Sequence, residues 1–212
     1  MRLRFWVKQG FQNLTLILGA TALYSFLMFI QTDNGLESLL VLLPLYLLLF
    51  GGMLTMATTL GIYKLSVPLV LGFGSTRNEV LLGLQICRAI PVVLVPALAA
   101  ALTAASSEPA AFSPAHVFLL GAGGFLAFSA LGTILGVVFT KYGKIATVVT
   151  AISVMLIGFG AGIIAALSDE IHLPNFFFGS ALPWAVLCAG LCFYSISMIP
   201  EQRIVWKCNV KL

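Results

Sequence analysis

Long apolar runs separated by short polar breaks dominate the hydropathy pattern of this chain. A membrane-crossing helix needs roughly 20 mostly apolar residues. Six runs approach that length: about 14–30, 39–60, 80–104, 116–139, 145–167 and 184–199. The runs are continuously apolar, whereas the strands of a membrane barrel alternate. The pattern therefore predicts an all-α integral membrane protein with six transmembrane helices.

The overall composition supports the same fold class. Hydrophobic residues make up 60% of the 212 positions and charged residues 8%, with a mean hydropathy of +1.09. Soluble domains carry about 25% charged residues, so a water-soluble fold is excluded. No polar break could hold a catalytic module, and we predict a single membrane domain over residues 1–212. The four cysteines are expected to be buried, inert thiols.

Charge is distributed unevenly between the two sets of polar breaks. If both termini are cytoplasmic, every Lys and Arg lies on or near the cytoplasmic side. The opposite breaks carry acidic residues only, at Asp33, Glu37, Glu108, Asp169 and Glu170. This distribution follows the positive-inside rule and predicts a multi-pass protein of the cytoplasmic membrane. The +4 net charge fits anionic lipid head groups, and we expect no nucleic-acid partner.

Two further segments favour the membrane interface. Residues 1–13 alternate basic with large apolar side chains, which predicts an interfacial amphipathic helix; the alternative is a frayed basic terminus. Residues 168–183 contain Pro174 and the aromatic run 176–178, and we expect an interfacial or re-entrant segment on the outer face.

The longest break on the basic side is GIYKLSVPLVLGFGSTRNE, residues 61–79. Ser66 stands two residues before Pro68, and this pairing is typical of a helix start. We predict a short helix from Ser66 to Leu71, lying on the cytoplasmic membrane surface. A sharp turn at Gly72-Phe73-Gly74 should follow it.

The end of this segment carries a start signal for the next helix. Thr76 and Glu79 have the T-x-x-E spacing of a capping box, in which each side chain bonds the other residue's amide. The apolar run of the third span begins directly afterwards. The sequence therefore predicts a capped transmembrane helix from this point.

Arg88 is the only charge placed inside a predicted span, with Gln85 one turn before it. Ionisable residues within a membrane are candidates for function. An arginine at this depth can also extend its guanidinium to the cytoplasmic interface. Both alternatives, extension to the interface and contact with a substrate or partner, remain open here.

Small residues recur at close spacing in two spans. Gly132 and Gly136 are four residues apart in span four, and Gly158 and Gly162 repeat the spacing in span five. Such patterns allow helix backbones to approach closely. They fit packing inside the chain or against a second membrane subunit, and all four are candidates for a translocation path or interface, together with Gln85 and Arg88.

Motifs for catalysis are absent from the sequence. There is no H-E-x-x-H, no G-x-S-x-G and no G-x-x-x-x-G-K-[ST], so we expect no enzyme activity. No predicted span carries an acid, which argues against proton or sodium coupling. Energy for any uphill transport should come from a partner.

The residues Phe73-Gly74-Ser75-Thr76-Arg77 have the form fG-x-[ST]-R. Combined with six spans and a cytoplasmic segment between spans two and three, this resembles the permease subunits of small bacterial type-2 ATP-binding cassette (ABC) exporters. The resemblance implies that residues 61–79 form a coupling helix seated on a separate ATPase subunit. The residues it assigns to that contact and its hinge are Ser66, Pro68, Leu71, Gly72, Phe73, Gly74, Ser75, Thr76, Arg77 and Glu79.

The same resemblance implies an assembly of two permeases, identical or related, with two ATPase subunits that bind ATP and Mg²⁺; this chain itself should hold no cofactor or metal. It places the protein in the bacterial cytoplasmic membrane. Export of an amphipathic or hydrophobic cargo (an antimicrobial peptide, a drug or a lipid) is the expected function. The alternatives are the ligand-binding membrane subunit of a vitamin importer, and a membrane scaffold or sensor.

Overall fold

The computed structural model describes residues 2–31, 36–105, 113–143 and 181–207, and within these ranges the chain is helical apart from short turns. Continuous apolar sequence produces long helices because each helix satisfies its own backbone hydrogen bonds. The elements are α1 (Arg2–Gln31), α2 (Leu36–Gly61), a π-helical turn (Ile62–Ser66), α3 (Val67–Gly72), α4 (Arg77–Ala105), α5 (Pro114–Tyr142) and α6 (Ala181–Lys207).

Four of these helices contain segments long and apolar enough to cross a membrane. The segments are Leu43–Gly61, Arg77–Ala105, Pro114–Thr140 and Ala181–Arg203. Many large apolar side chains along the bundle are exposed, which suits lipid and not water. The all-helical class is confirmed. The predicted first span lies within α1, which is not one of the four. Span five and residues 168–180 lie outside the described residues, and residues 181–183, predicted to end the outer segment, form the start of α6. The six-span count stays a prediction.

Side-chain contacts fix the direction of each helix. Tyr24 of α1 packs on Phe50 of α2 with ring centroids 4.0 Å apart, and Ile17 lies beside Gly51, so α1 and α2 are antiparallel. Similar contacts make α1 parallel to α4 and α2 parallel to α5. The start of α1, the end of α2, α3 and the start of α4 therefore share one end of the bundle, called here the α3 end.

The predicted boundary near residue 13 is not a break in the structure. Residues 2–31 form one uninterrupted helix, and its first half packs closely on α4. Trp6 is 1% exposed and contacts Gly83, while Asn13 Nδ2 donates to Cys87 Sγ at 3.6 Å. Location of this half in the membrane interface stays a prediction.

The last helix continues beyond the end predicted for span six. The hydropathy pattern predicts an end near residue 199, followed by a tail that begins at Pro200. Instead α6 runs through Pro200 to Lys207, and Glu201 and Val205 are fully buried. Packing of these two side chains outweighs the loss of one backbone hydrogen bond at the proline.

Two clusters of buried apolar side chains hold the bundle together. The cluster at the α3 end joins α1, the π turn, α3, α4 and α6 through Trp6, Ile62, Tyr63, Val67, Val70, Val80, Leu84, Cys87 and Val205. The second joins α1, α2, α4 and α5 through Ile17, Leu47, Val92, Val95, Ala99, Val117 and Phe125. Cys87 is a buried thiol as expected, but Cys188 and Cys192 are exposed because they lie on the outer face of α6.

Candidate functional site

A buried ion pair joins α4 to α6 near the α3 end. Arg88 is 2% exposed and Glu201 is 0% exposed, and Arg88 Nη2 donates to Glu201 Oε1. Arg88 also donates from Nε to the Leu84 carbonyl at 3.2 Å and from Nη1 to Thr133 Oγ1 at 2.6 Å. Three helices, α4, α5 and α6, thus meet at one guanidinium group.

Two further polar side chains complete this cluster. Gln85 Nε2 donates to Glu201 Oε2 at 3.3 Å, and the Tyr194 hydroxyl donates to Gln85 Oε1. The Arg88 guanidinium carbon lies 5.5 Å from the centre of the Tyr194 ring, as in a cation–π contact. Arg88, Glu201, Thr133, Gln85 and Tyr194 are called the buried polar cluster below.

The structure corrects one of the two interpretations of Arg88. Its side chain does not extend to the interface; it is enclosed among helices about 16 Å along α4 from the first residue, at 1.5 Å per residue. The reason is the presence of Glu201 and Thr133, which supply acceptors at that depth. Charged groups buried this deeply are retained only when they are paired and hydrogen-bonded.

A buried ion pair adds little net stability, but removal of one partner is costly. Burial of two ions costs several kcal/mol each, and their attraction compensates only when the remaining hydrogen bonds are also made. Here Arg88 has partners on three helices and both carboxylate oxygens of Glu201 are occupied. Removal of one partner is therefore expected to cost about 3–5 kcal/mol. The pair fixes how α4 crosses α6.

An open cleft leads to this cluster from the α3 end. It has a volume of about 280 Å³ and lies between α4 and α6. The lining residues are Asn78, Leu81, Leu82, Gln85, Met198, Glu201 and Gln202. The cleft therefore places open space directly beside the buried ion pair.

The Tyr63 hydroxyl is buried beside the cluster, close to Thr133 and Glu201, but makes no hydrogen bond of standard geometry among the described residues. Tyr63 belongs to the π turn and is 1% exposed. Burial raises the pKa of Tyr63 above its ordinary value, so this hydroxyl stays protonated. Tyr63 therefore brings a neutral donor close to Arg88 and Glu201.

The segment 61–79 differs from its prediction at the start. Residues 67–72 form the expected short helix, but Ser66 does not cap it: Ser66 has helical angles and makes no capping hydrogen bond. The π turn joins α2 to α3 without a break, and the Val67 amide donates to the Ile62 carbonyl five residues back. This wider turn accommodates Pro68, which has no amide hydrogen to continue an α-helical ladder.

The end of the segment agrees with the sequence in detail. Gly74 has φ +75°, which most residues avoid, and it makes the turn after α3. The Thr76 amide donates to Glu79 Oε2 at 2.9 Å and the Glu79 amide to Thr76 Oγ1 at 3.4 Å, so the capping box is confirmed. Arg77 lies 5.4 Å over the Trp206 ring, which ties the start of α4 to the end of α6.

Three apolar side chains of this segment face outward. Leu65 is 69% exposed, Leu69 52% and Phe73 77%. They are spaced four residues apart, which places them along one side of the π turn and α3. Val67 and Val70 face the other way, into the core. These three side chains are called the α3 stripe below.

The glycines of span four pack inside this chain. A Cβ atom on Gly132 would lie 2.6 Å from the Met56 carbonyl oxygen, and one on Gly136 would lie 2.6 Å from the Tyr63 ring. Both glycines therefore bring α5 against α2 and the π turn. Of the two alternatives, packing within the chain is the one the structure shows for this pair. Gly158 and Gly162 lie outside the described residues.

Glu201, Thr133 and Tyr194 belong to the buried polar cluster but are absent from the predicted site residues. Glu201 lies in the predicted C-terminal tail, although Tyr194, Ser197 and Glu201 follow the i, i+3, i+7 spacing of one helix face. The available signal was that Glu201 is the one acidic residue of the C-terminal segment and Arg88 the one basic residue inside a predicted span. Because Arg88 and Glu201 are 113 residues apart, local sequence patterns do not reveal that they pair.

No protein-family model, curated protein or solved structure matches the chain.

Proposed function

We propose that the protein is the membrane-spanning permease subunit of an ATP-driven exporter, moved by a separate ATPase that docks at the α3 end. The α3 stripe is the observation that carries this proposal. Exposed apolar side chains at spacing i, i+4 on a short helical segment are typical of a helix that fits a groove in a partner. The cargo proposed for transport is amphipathic or hydrophobic: an antimicrobial peptide, a drug or a lipid.

The connections of α3 explain how a force on it would move membrane helices. On one side, the π turn joins α3 to α2 without an intervening loop. On the other, four residues and the Thr76–Glu79 capping box lead into α4. A push on α3 is thereby transmitted to α2 and α4 together. Because Arg88 lies on α4, the same movement would also displace Arg88 relative to Glu201 on α6.

The distribution of charge supports a cytoplasmic α3 end. Every Lys and Arg in the described ranges lies in the half of its helix nearer that end, whereas Glu37 lies at the other end. Basic residues accumulate on the cytoplasmic side of membrane proteins. We therefore propose that the α3 end and both termini are cytoplasmic.

The relative direction of α5 and α6 supports six spans. Gly123 of α5 lies beside Val186 of α6, and further along Thr133 and Glu201 both contact Arg88. The two helices are thus parallel. A chain that joins two parallel membrane helices has to return across the bilayer, which is the role predicted for span five.

Docking is tested by affinity purification of the tagged full-length protein from its native membranes, with recovery of an ATP-binding cassette ATPase as the readout. Phe73→Ala removes the most exposed member of the α3 stripe and should weaken ATPase capture by about tenfold or more, since aromatic anchors dominate interfaces. Phe11→Ala is the matched control, because Phe11 is 51% exposed on α1. Equal capture by both variants, or purification of the wild-type chain with a bound vitamin and no ATPase, contradicts the proposal.

Orientation is tested separately by cysteine labelling in cells, in a background without the four native cysteines. Asn78→Cys lies at the α3 end and Ala115→Cys at the opposite end, and both positions are exposed. A membrane-impermeant maleimide should label only Ala115→Cys from outside. Labelling of Asn78→Cys in intact cells would show that the α3 end faces outward, and docking of a cytoplasmic ATPase would then be impossible.

A further inference from the structure

The cleft between α4 and α6 combines apolar walls with uncharged polar groups. Leu81, Leu82 and Met198 supply the apolar part of its lining. Asn78 and Gln202 supply carboxamide groups, and both side chains are exposed. Ligand pockets have this composition: mostly apolar walls, with a few polar groups that fix orientation.

Gln85 is an uncharged polar group of this cleft that two hydrogen bonds hold in place. Its oxygen accepts from the Tyr194 hydroxyl and its nitrogen donates to Glu201 Oε2 at 3.3 Å. A carboxamide has two N–H donors and two acceptor lone pairs. One donor and one acceptor of Gln85 therefore remain for a ligand, and they are held in position by the two existing hydrogen bonds.

Charge at the inner wall of the cleft restricts what can bind there. Glu201 is fully buried and its charge is already balanced by Arg88. Among the described residues, no basic side chain lines the cleft. An anionic head group would meet the carboxylate of Glu201, and a cationic one would compete with Arg88 for it. A neutral group that both donates and accepts avoids either desolvation cost.

We propose that this cleft binds an uncharged carboxamide carried on an apolar chain, with Gln85 pairing with the amide and Leu81, Leu82 and Met198 contacting the apolar part. The volume of about 280 Å³ lies just below the range of about 300–1,000 Å³ typical of ligand pockets and suits one such group. Binding of the carboxamide does not depend on the proposed transport function. Only the idea that the bound ligand is cargo rests on that function.

The test uses the purified full-length chain in lipid nanodiscs, with hexanamide as the probe and its thermal unfolding midpoint as the readout. Hexanoate and hexylammonium have the same chain length and report charge preference. N-acetylleucinamide tests whether a peptide amide binds as well as a fatty amide does. Hexanamide should raise the midpoint saturably, with hexanoate and hexylammonium giving no saturable rise.

Leu82→Trp fills the cleft from its exposed rim, where Leu82 is 53% exposed. It should raise the half-saturating hexanamide concentration by about tenfold or more, equivalent to about 1.4 kcal/mol. Leu94→Trp is the matched control on α4, since Leu94 is exposed and does not line the cleft. Asn78→Ala is a second variant that leaves the apolar walls unchanged, and it should also weaken binding.

An equal response in Leu82→Trp and Leu94→Trp would overturn the site, as would a saturable response to hexanoate. Hexanamide binding that is unchanged in both single variants, Asn78→Ala and Leu82→Trp, would also overturn the site. Because no ATPase is present in this measurement, its failure leaves the docking result untouched. Loss of ATPase capture with an intact hexanamide response would conversely remove the proposed function and leave the site.

Discussion

The ion pair between Arg88 and Glu201 permits a double-mutant cycle with an asymmetric outcome. In Arg88→Met, the buried carboxylate of Glu201 keeps only the Gln85 contact at 3.3 Å. In Glu201→Met, Arg88 keeps Thr133 and the Leu84 carbonyl as acceptors. Each single variant should lose about 3–5 kcal/mol of unfolding free energy, and Arg88→Met should lose more.

The double variant Arg88→Met/Glu201→Met removes both charges and leaves apolar side chains of similar length. Replacement of a buried pair by apolar residues is often neutral, so much of the lost stability should return. The resulting coupling energy, the loss in the double variant minus the sum of the two single losses, should have a magnitude of at least about 3 kcal/mol, which is the upper end for contacting residues. That difference corresponds to a change of about 100-fold in the unfolding equilibrium, at 1.4 kcal/mol per factor of ten.

The assay is SDS titration of the purified chain in mild detergent, with the reactivity of the Cys87 thiol as the reporter. Cys87 is buried beside Arg88, and Cys188, Cys192 and Cys208 are replaced by serine so that only one thiol reacts. Arg203→Met is the control, because Arg203 is exposed on the same helix as Glu201. Exposed substitutions usually change stability by less than about 0.5 kcal/mol.

Two outcomes would refute this reasoning. If the single variants unfold at the same SDS concentration as the Arg203→Met control, the pair does not hold α4 to α6. Strictly additive losses in the double variant would show that the two side chains do not interact. Either result would also remove the physical basis for a charge-balanced wall in the cleft.

Three further predictions concern the surroundings of the cluster. Gly136→Val should destabilise by about 1–3 kcal/mol through overpacking against the Tyr63 ring, whereas Gly124→Val, with no neighbour within 4 Å, should change the SDS midpoint little. Tyr63→Phe should be neutral or stabilising, because its buried hydroxyl makes no hydrogen bond of standard geometry in the described part of the chain and an unsatisfied buried group costs about 1–3 kcal/mol; a clear loss in the same titration would contradict this and show that the hydroxyl bonds the nearby Glu201 or Thr133. Thr76→Ala should cost about 1 kcal/mol as a lost helix cap and speed amide exchange at Glu79, and unchanged exchange there would contradict the capping role.

Local features of the fold followed from the sequence because they depend on neighbouring residues. The capping box at Thr76 and Glu79 needs only two side chains three positions apart, and it formed as predicted. The turn at Gly74 likewise needs only a residue that tolerates positive φ. Ser66 was wrong as a helix start because Ile62 and Val67 continue the helix through a π turn packed into the core.

The sequence by itself determined that this is a helical protein for an apolar environment, since run length and hydropathy suffice for long self-satisfied helices. Only the tertiary structure decided that Arg88 is buried and paired, because its acceptor Glu201 is 113 residues away on another helix. The partners of Gly132 and Gly136 were settled in the same way, by the approach of α2 to α5. Helix formation depends on residues that are close in sequence, whereas burial of a charge depends on which distant group the packing brings next to it.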